Sequence, residues 1–173
     1  MIKKIYLSFI VNKNNKKKIK YLIKEGVKIG KNTRILCDVS AFGSEPYLIE
    51  IGDNCLISSY VAFMTHDGGV SVLNNLNKFE KKVDKIGRIK IGNNCFIGNK
   101  ATIMPGVTIG DNCIIGLGSI VTKNVENNSV VCGVPAKKIK TIDEYAEDIK
   151  SKIYPTYEME IEDKREYCLK NVK

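Results

Sequence analysis

The sequence predicts a mainly β fold, a parallel β-helix whose coils have three flat sides, and two observations on residues 91–125 lead to it. Aliphatic residues recur at every sixth position: Ile91, Ile97, Ile103, Ile109, Ile115 and Val121. Four residues after each comes a small or compact one: Cys95, Ala101, Val107, Cys113, Ser119 and Val125. A period of six fits neither an amphipathic helix nor a lone strand, so it indicates a repeat architecture.

Each hexad forms one side of a coil in this interpretation. The aliphatic side chain fills the interior, and the compact residue lies near a corner, where there is little room. Successive coils stack with parallel backbone hydrogen bonds, and each coil buries the apolar surface of its neighbour. Burying one isoleucine is worth about 1.5–3 kcal/mol, so several stacked columns stabilise the fold without a separate core.

The pattern begins earlier in the chain and is interrupted twice. Register is lost within Ala41–Glu50, which predicts a bulge, and it returns at Ile51. It is lost again after Phe63 and restarts at Ile91, which predicts an extended loop over residues 68–89. Loops of this length in compact domains are usually functional or disordered. The apolar residues of the loop favour docking against a neighbouring subunit: Val70, Val72, Leu73, Leu76 and Phe79.

Glycine and asparagine mark one set of predicted corners. An asparagine follows two residues after a glycine in four hexads: Gly30 and Asn32, Gly52 and Asn54, Gly92 and Asn94, Gly110 and Asn112. These residue types tolerate the tight turns and positive φ angles that a corner requires. We therefore expect the coil to turn at each of them.

The chain length favours one domain, which we place at residues 27–140 between two terminal segments. Residues 1–26 should form an N-terminal cap, because the first coil leaves ladder groups exposed; alternatively, this basic segment associates weakly with an anionic membrane surface. Residues 141–173 predict a C-terminal helical tail. A capping box at Thr141–Glu144 starts its first helix, and Glu160–Leu169 forms a second helical piece.

The composition predicts a soluble cytoplasmic protein. Hydrophobic residues make up 43% and charged residues 27%, and no apolar run approaches the roughly 20 residues of a transmembrane helix. The six cysteines include no CxxC pair, which argues against a metal site or a disulfide framework. The net charge of +9 is carried mainly by lysines without an aromatic-and-basic motif, which argues against nucleic-acid binding. Reduced thiols should stack inside the coil with one residue below and one above: Thr33, Cys55, Cys95, Cys113 and Val131.

The repeats are followed by the segment GVPAKKI at Gly133–Ile139. Together they resemble the left-handed β-helix hexapeptide-repeat acyltransferases, over roughly Val27 to Lys140. The resemblance implies left-handed coils, a homotrimer with active sites between subunits, and acetyl-CoA as the donor. The THDGG and FGSEPYLI segments are most similar to members that O-acetylate sugar hydroxyls of surface polysaccharides or their precursors, a group related to the xenobiotic acetyltransferases.

His66 is the single histidine of the chain and immediately precedes the long loop. A lone histidine is more often structural, but the resemblance implies a general base in this setting. An imidazole titrates near pH 6.5, so it can take a proton from a hydroxyl at neutral pH and return it to a leaving thiolate. Glu45, in the bulge, is a candidate to orient His66 or to bind the acceptor, although a surface carboxylate in a turn would look the same.

Four further residues are candidates for binding the acceptor. Asp67 is adjacent to His66, but neighbours on an extended segment point to opposite sides, so Asp67 binds the acceptor or caps the loop. Ser58 and Ser59 precede His66 on the same coil, and Asn74 lies in the loop. All three are also common turn and loop residues.

The donor contacts are implied by matching the IGxGSxVTK and GxPxxxI segments of the family: Asn99, Leu117, Thr122, Lys123, Lys137 and Lys140. Small corner residues let the pantetheine approach, and lysines supply charge for the phosphates. Some relatives carry arginine where this chain has Lys137 and Lys140. A solvated basic turn is the alternative interpretation for each of these lysines.

Rival functions remain open at this stage. The acceptor could be an antibiotic, an amino sugar or a serine, although the large domains that precede the repeats in serine acetyltransferases and in some amino-sugar enzymes are missing here. A γ-type carbonic anhydrase needs three histidines around zinc, and one histidine cannot supply them. A structural or binding β-helix would explain the repeats but not a lone histidine ahead of a long irregular loop. We expect no metal.

Overall fold

The computed structural model describes residues 14–172. The chain divides into two compact units, the first ending at Ile142 and the second comprising Asp143–Lys173. Residues 1–13 of the predicted N-terminal cap lie outside the described residues, and the membrane-surface prediction rests partly on them. No helix in the described chain is long and apolar enough to cross a membrane.

Thirteen short strands build the described part of the first unit. They are β1 (Lys28–Ile29), β2 (Arg34–Ile35), β3 (Ile49–Ile51), β4 (Leu56–Ile57), β5 (Ala62–Phe63), β6 (Ile89–Ile91), β7 (Phe96–Ile97), β8 (Thr102–Ile103), β9 (Thr108–Ile109), β10 (Ile114–Ile115), β11 (Ile120–Val121), β12 (Ser129–Gly133) and β13 (Ala136–Thr141). β1, β3, β6 and β9 pair in parallel as face A; β2, β4, β7, β10 and β12 as face B; β5, β8 and β11 as face C. The predicted three-sided β-helix is confirmed.

The predicted aliphatic positions fill the interior. On face B, Ile57, Ile97 and Ile115 stack in register and are each fully buried. The neighbouring residue of each strand points outward, so a two-residue strand presents one side chain to the core and one to the outside. The parallel ladder continues to β12, where β13 pairs antiparallel and ends it.

The last coil is shorter than the sequence suggests. Val125 was predicted at a corner, four residues after Val121, but it pairs with Ile109 and so occupies a strand position on face A. The step between stacked coils is 16 residues here, against 18 one coil earlier. Two residues are missing from the corner before Val125, and every position after it is displaced accordingly.

This displacement also corrects the predicted thiol column. Ser129, and not Val131, lies above Cys113, because Val131 pairs with Ile115 on face B. Four members of the column donate to the backbone carbonyl three residues before the next member: Thr33 Oγ1 to Gly52, Cys55 Sγ to Gly92, Cys95 Sγ to Gly110, and Cys113 Sγ to Glu126. All three thiols are buried, free and hydrogen-bonded.

The predicted asparagine corners are confirmed. Asn32, Asn54, Asn94 and Asn112 have φ angles between 54° and 56°, in the left-handed region that asparagine tolerates. Their side chains form partial ladders between coils, as in the bond of 2.9 Å from Asn94 Nδ2 to Asn112 Oδ1. The corner is therefore held by both the backbone and the amide side chains.

Both predicted interruptions are present. The bulge consists of two 3₁₀ turns, η1 (Val39–Phe42) and η2 (Pro46–Leu48), separated by Gly43 at φ 67°. The long loop carries helix α2 (Val70–Asn75). Because β6 starts at Ile89, the loop ends one residue before the predicted boundary.

Three further helices flank the strands in the described part of the sequence. Helix α1 (Asn15–Lys24) is capped by the Asn14 side chain, and it buries Leu22 in the core. Its buried Lys18 donates to the carbonyls of Ile35 and Cys37, at 3.1 and 2.6 Å. Helix α3 (Ile142–Ile149) begins at the last residue of the first unit and continues into the second. It is followed by η3 (Lys150–Lys152) and α4 (Ile161–Asn171).

Candidate active site

Both interruptions lie at the same corner of the coil, between face C and face A, which we call the excursion corner. The long loop leaves after β5 and returns before β6. In the coil below, η1 takes the place of a face C strand, and its Phe42 ring lies 4.8 Å from the ring of Phe63. Both rings are 1% exposed. This contact anchors the excursion that carries Glu45.

Glu45 meets His66 at this corner. The Nδ1 atom of His66 lies 2.8 Å from Oε2 of Glu45. The side chain of Glu45 is 18% exposed and that of His66 is 44% exposed, so the ring is accessible from outside. The contact joins two residues that are 21 positions apart in the sequence.

Hydrogen bonds keep the Glu45 carboxylate ionised. Donors from Thr65, His66 and Ser44, in that order of effect, lower the pKa of Glu45 from 4.5 to about 2. An ionised carboxylate only accepts hydrogen bonds, so Nδ1 of the neutral ring carries the proton. Nε2 is then left as the acceptor, which is the state that a general base requires.

A short antiparallel connection fixes the backbone on both sides of His66. His66 bridges Ile86 across the base of the long loop. The amide of Asp67 donates to the carbonyl of Lys85 at 2.9 Å, and that of Gly87 donates to the carbonyl of Thr65 at 2.8 Å. The loop therefore starts and ends at the histidine.

Two predicted acceptor contacts hold the loop together in the structure. The Asp67 carboxylate pairs with Lys85 at 2.8 Å and caps the amide of Gly69 at 2.9 Å. These contacts lower the pKa of Asp67, the hydrogen bond from Lys85 most strongly. Asn74 bonds both the amide and the carbonyl of Val83. Of the two options for Asp67, the geometry provides the loop cap, and acceptor binding by either residue stays a prediction.

The remaining predicted residues lie at other places on the prism. Ser58 and Ser59 follow β4 at the corner between faces B and C, and so do Asn99 and Leu117 on successive coils above them. The amide of Gly118 donates to the carbonyl of Asn99 at 2.8 Å, which stacks these two coils directly. Leu117 is 80% exposed. One chain therefore does not bring these four residues to the corner of His66.

The other predicted donor contacts divide between two elements. Thr122 and Lys123 follow β11 at the excursion corner, two coils beyond His66. Lys137 and Lys140 lie on β13, where they pair with Cys132 and Val130. Their roles toward a donor stay predictions.

Sequence reasoning missed Thr65. Its side chain is 1% exposed, and its Oγ1 donates to Oε2 of Glu45 at 2.6 Å. The signal was present: after the core residue Phe63 the chain alternates, so a side chain two positions later points inward. A threonine at an inward position needs a hydrogen-bond partner, and Glu45 provides it.

Comparisons with known proteins identify the family. The model for the bacterial transferase hexapeptide (six repeats) matches residues 88–123. The chain is also 43% identical to Protein CapG of Staphylococcus aureus, over 99% of its own length and 97% of CapG. The chain belongs to the hexapeptide-repeat transferases.

Solved structures agree with this membership. A galactoside acetyltransferase in complex with coenzyme A is 35% identical with a TM-score of 0.53, over 70% of this chain and 58% of that one. A maltose O-acetyltransferase from Clostridium difficile 630 is 26% identical with a TM-score of 0.53, over 79% of this chain and 82% of that one. This hexapeptide-repeat protein is accordingly an acetyltransferase.

Proposed function

We propose that the chain is an acetyl-CoA-dependent O-acetyltransferase that modifies a sugar hydroxyl of a surface polysaccharide or its precursor. The carrying observation is the contact of 2.8 Å between Nδ1 of His66 and the ionised Glu45, which leaves Nε2 as a free base at an accessible corner. The two solved relatives support the substrate class, because their names state a galactoside and maltose as acceptors.

The reaction follows from that geometry. Nε2 of His66 takes the proton of the acceptor hydroxyl while the hydroxyl oxygen attacks the carbonyl carbon of the thioester. The carbon–sulfur bond then breaks, the thiolate leaves, and Nε2 returns the proton to its sulfur. Glu45 stabilises the imidazolium that exists between these steps, as a carboxylate does for the histidine of a catalytic triad. The products are the O-acetyl sugar and free CoA.

The donor side of the site would be shared between chains. Asn99 and Leu117 are at one corner, whereas Thr122 and Lys123 are at the excursion corner, so one chain presents the predicted donor contacts on two edges. A left-handed homotrimer would bring one edge of each type into every cleft. The two edges would meet with the pantetheine between them, and Lys137 and Lys140 would face the phosphates.

The outward side chains support an assembly through face B. Face A presents Lys28, Glu50 and Lys90, and the first two form an ion pair at 3.6 Å. Face B presents Arg34 on β2 but apolar side chains at the matching positions of the next three strands, Leu56, Phe96 and Ile114, of which Phe96 is 38% exposed. Apolar area of this kind is stabilised when a second copy covers it. Light scattering should give about three times 19.3 kDa.

The same proposal includes a cytoplasmic location and the limits of the catalytic domain. A domain over residues 27–140 would contain all the proposed catalytic and donor contacts. The cysteines within the described chain are all free, which suits the reducing cytoplasm.

Replacement of His66 tests the function. H66A should keep its fold, its assembly and its CoA affinity while losing at least about a hundredfold in kcat/KM, because general-base catalysis contributes 10²–10⁴-fold. Acceptors to compare are oligosaccharides, free sugars and chloramphenicol-type alcohols.

The outcome that rejects the proposal is specific. An assembled H66A variant that binds CoA and keeps more than about a tenth of wild-type activity would remove His66 as the base. Absence of CoA binding to the unmodified protein at millimolar ligand would remove the donor. Faster acetylation of an antibiotic than of any saccharide would replace the acceptor class but leave the chemistry.

A further inference from the structure

Thr65 places a hydroxyl between the core and the candidate base. The residue as a whole is 1% exposed, whereas the side chain of the neighbouring His66 is 44% exposed. The hydroxyl donates to Oε2 of Glu45 at 2.6 Å, and Nδ1 of His66 lies 2.8 Å from the same oxygen. One carboxylate oxygen of Glu45 therefore contacts both the buried hydroxyl of Thr65 and the accessible imidazole of His66.

Thr65, the hydrogen-bond donor to Glu45, is itself held in place. The carbonyl of Thr65 accepts from the amide of Gly87 at 2.8 Å, so the loop base holds its backbone. Its side chain lies near Gly43, whose φ of 67° shapes the excursion between η1 and η2. By contrast, Glu45 sits on a short turn with no cap from its own side chain. The position of the Glu45 carboxylate therefore depends on the hydrogen bond from Thr65.

We propose that Thr65 is a positioning residue that holds Glu45 in the one orientation from which it fixes the Nδ1–H tautomer of His66. The proposal rests on the function proposed above for His66 and Glu45. Thr65 does not touch the substrate; it acts through Glu45. Without the hydroxyl, the carboxylate turns toward water and the ring loses its fixed partner.

The surrounding charges do not replace Thr65. The loop base contributes Asp67 and Lys85, which pair with each other at 2.8 Å. On the excursion, the hydroxyl of Ser44 also donates to Glu45, but its effect on the Glu45 carboxyl is smaller than those of Thr65 and His66. Ser44 is exposed and Thr65 is buried, so water competes for the first donor and not for the second.

The single histidine makes a direct test possible. Nitrogen-15 labelling of histidine gives the ring signals of His66 alone, and at pH 8.5 a neutral imidazole reports its tautomer. Unmodified protein and T65S should show the Nδ1–H form. T65V, which keeps the shape but removes the hydroxyl, should shift toward the Nε2–H form. A charge-assisted hydrogen bond changes an equilibrium by about ten- to a hundredfold, so the shift should be large.

Kinetics gives a second readout. T65V should lose about tenfold or more in kcat with little change in the KM for acetyl-CoA, and T65S should retain most of the activity. Should T65V fold poorly by circular dichroism, T65A removes the same hydroxyl and takes its place in both measurements. A folded hydroxyl-free variant with the wild-type tautomer overturns the proposal.

The two proposals fail separately. Active H66A would refute the base, yet the tautomer measurement would still report whether Thr65 positions Glu45. Inactive H66A together with fully active T65V would keep the base and refute the positioning role.

Discussion

Replacing Glu45 by glutamine should cost stability in a way that depends on pH. Glutamine keeps the shape and an acceptor oxygen but cannot be ionised. The folded state holds the Glu45 carboxyl at a pKa of about 2, down from 4.5, chiefly through the hydrogen bond from Thr65. At 1.36 kcal/mol per pKa unit this difference corresponds to about 3 kcal/mol as an upper bound. Partial solvent exposure of the carboxylate screens it, so we expect about 1–2 kcal/mol.

The sign follows from the direction of the shift. A carboxyl whose folded pKa is depressed stabilises the folded state at pH values above its unfolded pKa, and this stabilisation is lost as the pH falls toward the folded pKa. The difference between unmodified protein and E45Q should therefore be full at pH 7 and still nearly full at pH 5.5. It should shrink steadily between about pH 4.5 and pH 2.

Urea unfolding followed by circular dichroism at pH 7, 5.5, 4 and 3 measures the difference. Both proteins must be compared at one protomer concentration, because any assembly makes apparent stability depend on concentration. The amide oxygen that E45Q introduces still accepts from Thr65, so T65V in the E45Q background is the control for the neutral hydrogen bond. A difference that stays constant from pH 5.5 to pH 3, or that grows over that range, would refute the reasoning.

Three further predictions concern the loop base, the core and the donor. G87A should lower kcat about ten- to a hundredfold, because its Cβ would lie 2.7 Å from the backbone carbonyl carbon of Pro105 and displace the loop base beside the histidine. G68A is the matched control, since there is open space around that position. Equal kinetics of the two variants would contradict this prediction. I103A should cost about 2–5 kcal/mol in urea unfolding, since the side chain is fully buried, and a loss below 1 kcal/mol would be inconsistent with a packed interior. Replacing Lys137 and Lys140 together by alanine should weaken CoA binding in calorimetry, with a smaller loss at high salt, and a salt-independent loss would argue against phosphate contacts.

The sequence predicted the prism because its signals are local and repeated. An isoleucine at every sixth position and an asparagine at each corner act within one hexad, and the stacked coils follow from their repetition. The short last coil could not be predicted in this way. Val125 fits the compact position of one register and the aliphatic position of the other, so only its pairing with Ile109 distinguishes them.

The candidate site was predictable in part. His66 stood out as the single histidine beside a break in the repeat, and Glu45 as a carboxylate in the other break. Their contact joins two excursions that have no periodicity, so the distance of 2.8 Å could not be read from spacing. Thr65 was hidden for a different reason, because an inward threonine looks like an ordinary core position until its partner is known.

The number of residues between equivalent positions of two stacked coils, here called the step, shows where the fold inserts the candidate site. The step is 16 residues at the short last coil, 18 at the full coil before it, 22 where Glu45 is inserted and 40 where the long loop is inserted. Yet Ile49 still pairs with Ile89 directly across the longest step, so the inserted chain leaves the ladder intact. The prism therefore tolerates insertions of very different length at one corner, and under the function proposed above an exchange of whole excursions would change the acceptor without disturbing the ladder. Hybrids that carry a relative's excursions on this prism would separate what selects the acceptor from what holds the molecule together.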